Sequence, residues 1–403
     1  MLFESIDQKN HCKNIVLNNE IKSEYEVNDL TGTWAYHNAF RNLKHIKYAS
    51  LYTNGKNLND CCPPHLKQEW EEVKKEHFAY INSFKNGLVT QNDYCFYDLV
   101  PASFVKKYFS MKSKITEWVL ENYSKPNNYD FLVELSGLIQ DIKSRKVKIN
   151  TKNYNWNFAV NTHADQAALK KIKKSTEHVE YNVFGTITGR LTTKKNSFPI
   201  LTMKKEHRSI IEPHNDYFIE LDFNAAELRC LLSLNGEPQP EKDIHLWHGE
   251  ILNNVLDHTL TREEIKQKIF GWLYGSGNTS LGFPKIEKFY DKQKALDKYW
   301  DGEKISNPFE REIKADKFHA LNALIQSTTS DIFLRRAIKV NNALKAKKSF
   351  TTALIHDSMV IDFSKEDKGC LEQIIEVFSD TTLGKFKTNV SVGTNFGNMK
   401  RFK

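Results

Sequence analysis

Residues 216–234 read DYFIELDFNAAELRCLLSL. The first eight residues pass from alternation into an apolar run, with Ile219, Leu221 and Phe223 in step, which predicts a short strand. AAELRCLLSL follows at once and reads as a helix. Asp222 stands at the end of the strand with apolar neighbours on both sides. A carboxylate there is costly unless a cation or a hydrogen-bond donor satisfies it.

A second acid has similar surroundings. TALIHDSMVIDF (352–363) consists of two apolar runs around the polar tip His356-Asp357-Ser358, the pattern of a hairpin. Asp357 is flanked by Leu354, Ile355, Met359 and Val360. Two such carboxylates brought together bind divalent metal, and a pair of metal ions is a standard device for phosphoryl transfer. Each acid alone reads first as the cap of a neighbouring helix or turn.

TREEIKQKIFGWLYG (261–275) predicts a helix opened by a capping box, Thr261 with Glu264. Arg262, Lys266, Phe270 and Tyr274 recur every four residues and share one side. Ile265, Ile269, Trp272 and Leu273 supply a separate core face. Two cations followed by two rings suit a nucleoside triphosphate, phosphates first and sugar and base beyond. A surface helix with snorkelling side chains gives the same stripe.

The whole chain has 403 residues, 40% hydrophobic, 12% aromatic and 27% charged. These values fit a chain of several domains or lobes with a sizeable core, and exclude a collagen-like or wholly disordered one. No apolar run reaches the length of a membrane span, so no membrane partner is expected. MLFESIDQKN lacks the apolar stretch of a secretory signal. Cys12, Cys61, Cys62, Cys95, Cys230 and Cys370 are scattered and read as reduced thiols in a cytoplasm-like compartment. The net charge is +8, and only ten of the 58 basic residues are arginine. That leans towards a polyanionic partner, with lysine supplying a diffuse field and arginine fixed recognition.

Residues 1–150 read as mostly helical, with runs at 65–84, 110–123 and 129–146. Their lysines form either a nucleic-acid grip or a solvated face. YNVFGTITGRLTT (181–193) reads as strand and turn, residues 321–344 as one long helix, and the last residues as a strand with a loose basic tail.

Taken in order, these stretches resemble the polymerase domain of family A DNA polymerases, the group of bacterial DNA polymerase I and the T-odd phage replicases. The residues that carry the resemblance begin with Thr188-Gly189-Arg190-Leu191, LDFNAAELR (221–229) and Asp243-Ile244-His245. They continue with Arg262, Lys266, Phe270-Gly271 and Tyr274-Gly275, then Asn322 and Gln326, His356-Asp357, and Val392-Gly393-x-Asn395-Phe396. The resemblance covers about half the chain, residues 181–397.

It implies an α+β right-hand fold: an antiparallel palm sheet (181–240 and 319–403), helical fingers (241–318) and a helical thumb (64–180), preceded by a segment of unknown role (1–63). It implies a DNA-directed DNA polymerase whose Asp222 and Asp357 hold two Mg²⁺ ions, with Lys266 as a further catalytic group. Glu227 would be the sugar gate. His245, Arg262 and Lys266 would meet the triphosphate, and Phe270 and Tyr274 would shape the nucleotide pocket. Arg190, Asn322, Gln326 and His356 would contact DNA. The implied partners are primer-template DNA and dNTPs for a monomeric chain, with a separate exonuclease or processivity factor a further partner class.

Three departures stand out. The family's DNA polymerases usually carry His-Asp-Glu at the hairpin, whereas this chain has Ser358 third, as single-subunit phage RNA polymerases do. The stretch from Tyr274 to Asn322 is shorter than in the bacterial enzymes. Residues 1–180 contain no Asp-x-Glu, the opening signature of the family's proofreading exonuclease. The leading expectation is a DNA polymerase without 3′→5′ editing; a single-subunit RNA polymerase and a catalytically inactive nucleic-acid-binding subunit are the alternatives.

Overall fold

In the computed structural model the described residues are 3–6, 14–31, 43, 45–46, 52–87, 95–150, 170, 172, 174–253, 259–275 and 284–402. They fall into two compact units, residues 1–129 and 130–403.

The second unit mixes helix and sheet around the stretch quoted first. Tyr217–Phe223 is a strand (β1), and Ala226–Leu234 is the helix (α1) that follows it. Helices Ile244–Asn253 (α2), Arg262–Tyr274 (α3) and Ala320–Leu344 (α4) come next. The capping box of α3 is formed: Thr261 accepts from the Glu264 amide, and Glu264 accepts from that of Thr261. Phe350–Ile355 (β2) and Ser358–Phe363 (β3) make the hairpin, Leu371–Ser379 is a helix (α5), and Thr388–Gly393 (β4) and Lys400–Arg401 (β5) close the chain. The five strands form one antiparallel sheet in the order β2-β3-β1-β4-β5.

Alternation along these strands divides the sheet into two faces. Ile219, Leu221, Phe223, Met359, Ile361 and Val390 are buried on one, in a core shared with α4 and α5. Phe223 stacks on Phe378 of α5, with ring centroids 4.4 Å apart. Glu220, Asp222, Ser358, Asn389 and Ser391 share the other, whose polar residues adjoin buried Phe218 and Val360. A second core gathers Leu228 and Leu231 of α1, Ile244 of α2, Ile265, Ile269 and Leu273 of α3, and Tyr290. The long helix α4 serves both cores, Leu324 and Ile325 in the second, Phe333 and Ala337 in the first, so it is apolar on more than one side. Helix Tyr129–Lys143 buries Phe131, Leu135, Leu138 and Ile142 in the sheet's core.

In the first unit, helices Lys67–Asn86 and Ala102–Asn122 pack through Trp70, Val73, Phe104, Val105 and Phe109. Lys74, Lys107 and Lys114 pair with Glu71, Glu76 and Glu69. The reading of this region as mostly helical overlooked a small antiparallel sheet of Phe3–Ser5, Ile15–Leu17 and Glu20–Lys22, whose strands are too short for a period to show. No helix among the described residues is long and apolar enough to cross a membrane.

Two further expectations need correction. The basic tail is not loose: Lys400 and Arg401 pair with Val392 and Ser391, and the Phe402 amide donates to the Val390 carbonyl at 2.7 Å. Cys95 is disulfide-bonded, whereas Cys61, Cys62, Cys230 and Cys370 are free thiols. Spacing along a chain does not report which cysteines meet in three dimensions. Cys12 lies outside the described residues.

The assignment of the two sheet faces has a direct check. Leu221→Ala should cost about 3 kcal/mol by leaving a cavity in the core, whereas Ser391→Ala on the polar face should stay within about 0.5 kcal/mol. Urea melts of the two variants measure the difference.

Candidate active site

The carboxylate that ends β1 lies on the sheet's polar face. Asp222 is opposite Ser358 on β3 and Asn389 on β4. Asp357 immediately precedes Ser358 in the hairpin connection. That connection has only two residues, with His356 in the left-handed region at φ 55°. A non-glycine residue in that conformation is uncommon and sets the tip sharply. His356 is exposed and Asp357 half-buried.

Burial and then the charge of Asp357 push the Asp222 carboxyl up to about 7. The Asp357 carboxyl is also raised, chiefly by burial. Asn389 Nδ2 donates to Asp222 Oδ2 at 3.2 Å, and Ser358 Oγ donates to Glu220 Oε1 at 3.0 Å.

Glu227, on the first turn of α1, is bound from two directions. Its Oε1 accepts from the Arg190 guanidinium, and its Oε2 accepts from the Tyr274 hydroxyl at 2.5 Å. Glu227 thus ties the 186–190 loop to the last turn of α3. The loop itself needs its glycine. Gly189 has φ +79°, and a Cβ there would lie 2.6 Å from the Arg311 guanidinium. Arg311 is in turn paired with buried Asp331 of α4 at 2.6 Å. Tyr181 anchors the start of this segment on β2, where its hydroxyl donates to the Leu354 carbonyl at 2.7 Å and accepts from the Leu354 amide at 2.8 Å.

A second group surrounds the N-terminal half of α3. Arg262 donates to Asp243 at 2.9 Å, and Asn224 Nδ2 donates to the same oxygen at 2.8 Å. Asp243 Oδ1 also accepts from the His245 and Leu246 amides at the start of α2. Burial alone would raise the Asp243 carboxyl, but these donors hold it well below the usual carboxylate range. Arg229, fully buried, binds the Asn224, Pro240 and Lys242 carbonyls and fixes the loop that carries Asp243. Burial depresses the His245 imidazole to about 4, so the ring is neutral at pH 7. Its Nδ1 has no hydrogen-bond partner among the described residues. The Phe270 ring lies 6.0 Å from His245 and is stacked 6.2 Å from Tyr274. Lys266 is exposed on the same stripe.

The sequence-derived residues therefore form two neighbouring groups. Asp222, Asp357, His356, Glu227, Arg190 and Tyr274 make one; Arg262, Lys266, His245 and Phe270 make the other. Asn322 and Gln326 bond to each other at 2.6 Å on α4, and no hydrogen bond among the described residues links them to the carboxylates. The bonded partners of Glu227 are Arg190 and Tyr274. Sequence reading assigned no role to Glu220, Asn224, Asp243, Asn389 and Arg401. Asn224 and Asp243 lie within or beside matched motifs and so carried a signal, whereas Asn389 and Arg401 carried none.

No family model matches the chain. It is similar to DNA polymerase I of Borreliella burgdorferi, 24% identical over 280 residues, which is 57% of this chain and 31% of that protein. It is similar to DNA polymerase I of Chloroflexus aurantiacus, 21% identical over 274 residues, 55% of this chain and 29% of that protein. A third relative is DNA polymerase I of Rhizobium leguminosarum, 24% identical over 263 residues, 53% of this chain and 26% of that protein. The chain spans less than a third of the length of these relatives. Among solved structures it matches the polymerase domain of Pol1 from M. smegmatis, in complex with DNA primer-template and dNTP. That match has a TM-score of 0.47 and 16% identity, over 76% of this chain and 57% of that one. Over more than half its length the chain is thus similar to DNA polymerase I, and the resemblance read from the motifs to a family A polymerase domain stands.

The Asp243 network predicts an acid-sensitive contribution to stability. A depressed folded-state pKa gives stability that is full above the unfolded value of about 3.9 and is lost as pH falls below it. Asp243→Asn should cost roughly 2 kcal/mol near neutrality. The gap to wild type should close below about pH 4. Denaturant melts from pH 7 to pH 3 follow the convergence; parallel curves over that range would count against the assignment.

Proposed function

We propose that this chain is a DNA-templated DNA polymerase that extends a primer 3′ end with dNTPs. The observation that carries the reading is the meeting of Asp222 and Asp357 on one rim of the sheet, next to the Arg190–Glu227–Tyr274 bridge. Similarity to DNA polymerase I supports it, and so does the order of the motifs.

Divalent metal fits this pair. Burial and the charge of Asp357 raise the Asp222 carboxyl, and burial raises that of Asp357, a conflict that a cation relieves. Mg²⁺ commonly takes one or two carboxylates together with substrate phosphates. Asp222 and Asp357 would hold two Mg²⁺ ions, which when bound supply activation of the primer hydroxyl and neutralisation of the triphosphate. The protein's own groups position the substrates. Lys266, which makes no ion pair among the described residues, and Arg262 would meet the triphosphate. His245, buried beside Phe270, would be a third polar group at the same place. Phe270 and Tyr274 would shape the pocket for base and sugar, and Arg190, Asn322, Gln326 and His356 would line the primer-template.

In this reading residues 181–240 and 319–403 are the palm, 241–318 the fingers and 64–180 the thumb. The five-stranded sheet and both acids fall in the palm spans. Within the thumb span, helix Tyr129–Lys143 belongs to the core of the sheet. The proposal includes the absence of 3′→5′ editing from this chain, because residues 1–180 lack the Asp-x-Glu signature. Ser358 favours a second reading, an RNA polymerase. Glu227 supports the first reading: pinned by Arg190 and Tyr274, it would serve as the sugar gate that excludes a ribose 2′-hydroxyl.

Primer extension on a defined template, with dNTPs or rNTPs, separates these readings. Asp222→Asn and Asp357→Asn should each abolish incorporation and leave primer-template affinity within a few-fold, since grip comes from phosphate and groove contacts. Full activity in either variant would sink the paired-carboxylate assignment. Glu227→Ala should raise rNTP use relative to dNTP by about tenfold, as removal of a steric and polar gate predicts. A wild-type chain that already prefers rNTPs would establish the second reading instead.

A further inference from the structure

Asp222 has a single side-chain hydrogen bond among the described residues, and the residue behind that bond comes from the end of the chain. Arg401 Nη2 donates to Asn389 Oδ1 at 2.6 Å, and Asn389 Nδ2 donates to Asp222 Oδ2 at 3.2 Å. The three side chains lie in a row across β5, β4 and β1. Register fixes the row. Asn389 is directly opposite Asp222 on β4. Arg401 is opposite Ser391, two residues from Asn389 and on the same face, the diagonal distance a long side chain spans. The Phe402 amide, bonded to the Val390 carbonyl at 2.7 Å, holds β5 in that register.

Chemistry fixes the direction of each bond. A guanidinium has donors only, so it takes the amide oxygen of Asn389 and never its nitrogen. The Asn389 nitrogen is thereby turned towards Asp222, where it meets an acceptor. Without Arg401 the amide oxygen loses its donor, and Asp222 alone is left to orient the amide. The bond reaches only Oδ2; Oδ1 of Asp222 has no hydrogen bond among the described residues. The Arg401 charge also favours the ionised form of Asp222.

We propose that Asn389 and Arg401 are positioning residues for Asp222: Arg401 locks the Asn389 amide, and Asn389 holds one carboxylate oxygen so that the other is presented to a divalent ion. The inference rests on the proposed polymerase reading for its catalytic consequence, but not for its effect on metal affinity.

The test compares wild type with Arg401→Ala, Arg401→Lys, Asn389→Leu and the double variant Arg401→Ala/Asn389→Leu. Mn²⁺ binding is followed by electron paramagnetic resonance without substrates. Single-nucleotide incorporation is followed at saturating primer-template, with Kd for primer-template and KM for dNTP measured separately. Loss of a residue that orients a metal ligand typically costs about tenfold or more in affinity or rate. Arg401→Ala and Asn389→Leu should each weaken Mn²⁺ binding and slow incorporation by about tenfold, with KM and primer-template Kd within about twofold. The double variant should be no worse than either single one, because both changes break the same chain of bonds. Arg401→Lys should keep most of the function, since an ammonium also donates to the amide oxygen.

Unchanged Mn²⁺ affinity and rate in Arg401→Ala overturn the proposal, and so do additive losses in the double variant. Weakened primer-template affinity with a shallower salt dependence at normal Mn²⁺ affinity would make Arg401 a phosphate contact instead. If Asn389→Leu melts early, the alanine and lysine variants of exposed Arg401 decide alone. A wild-type chain that incorporates no nucleotide, while Arg401→Ala still loses Mn²⁺ affinity, would remove the polymerase reading and leave this one standing.

Discussion

Asp222 and Asp357 stand close enough to repel each other in a half-buried place where burial already opposes ionisation. Both terms favour protons or a cation over two bare charges. The surrounding sheet makes any other arrangement difficult. A shift of one residue along β1 would turn Asp222 into the face that carries Leu221 and Phe223, against α5. A longer hairpin tip would move Asp357 away from β1. The two-residue connection, with His356 at φ 55°, keeps Asp357 beside the Ser358–Asp222 pair. Backbone strain at the tip and electrostatic strain at the rim therefore coincide, as they do where a fold gives up stability for a functional site.

Other acids of the unit show what a satisfied carboxylate looks like here. Asp331 receives Arg311 and Asn307. Asp243 receives Arg262, Asn224 and two amides at a helix start. Glu227 receives Arg190 and Tyr274. Asp222 has one neutral amide, and no side chain among the described residues donates to Asp357. Matched acids hold loops to helices; the unmatched pair holds nothing together. That contrast marks Asp222 and Asp357 as the candidate metal-binding carboxylates without reference to any relative.

Much of this was legible in the residues, and the limit was set by separation along the chain. The β1 strand, α1, α3 with its capping box, and the hairpin follow from local period and caps, and the structure forms each close to its expected bounds. The stripe Arg262–Lys266–Phe270–Tyr274 is a helix period and needs no tertiary knowledge. By contrast, Asn389 reads as an ordinary strand residue and Arg401 as part of a basic tail. Only the pairing of β4 with β1 across 167 residues of sequence puts that amide on Asp222. The partner of Arg262 was equally hidden. The stripe shows that the cation faces outward, not that Asp243 holds one edge of it.

Ser358 shows how the sheet arranges charge around the rim. Position 358 lies directly opposite Asp222, where a third carboxylate would meet a like charge at the shortest cross-strand distance. A serine there adds no charge and has a donor to spare. It gives that donor to Glu220, one step further along the same face of β1. Glu220 is thus drawn towards the rim, yet it remains one position removed from the Asp222–Ser358 pair. On the opposite flank, Asn389 supplies a neutral donor directly across from Asp222, and the Arg401 cation stands one strand further out. Neutral residues stand opposite the first carboxylate on both flanks, and Glu220 and Arg401 stand one step beyond. This spacing leaves Asp222 and Asp357 without an ion-pair partner among the described residues, as a proposed cation site requires.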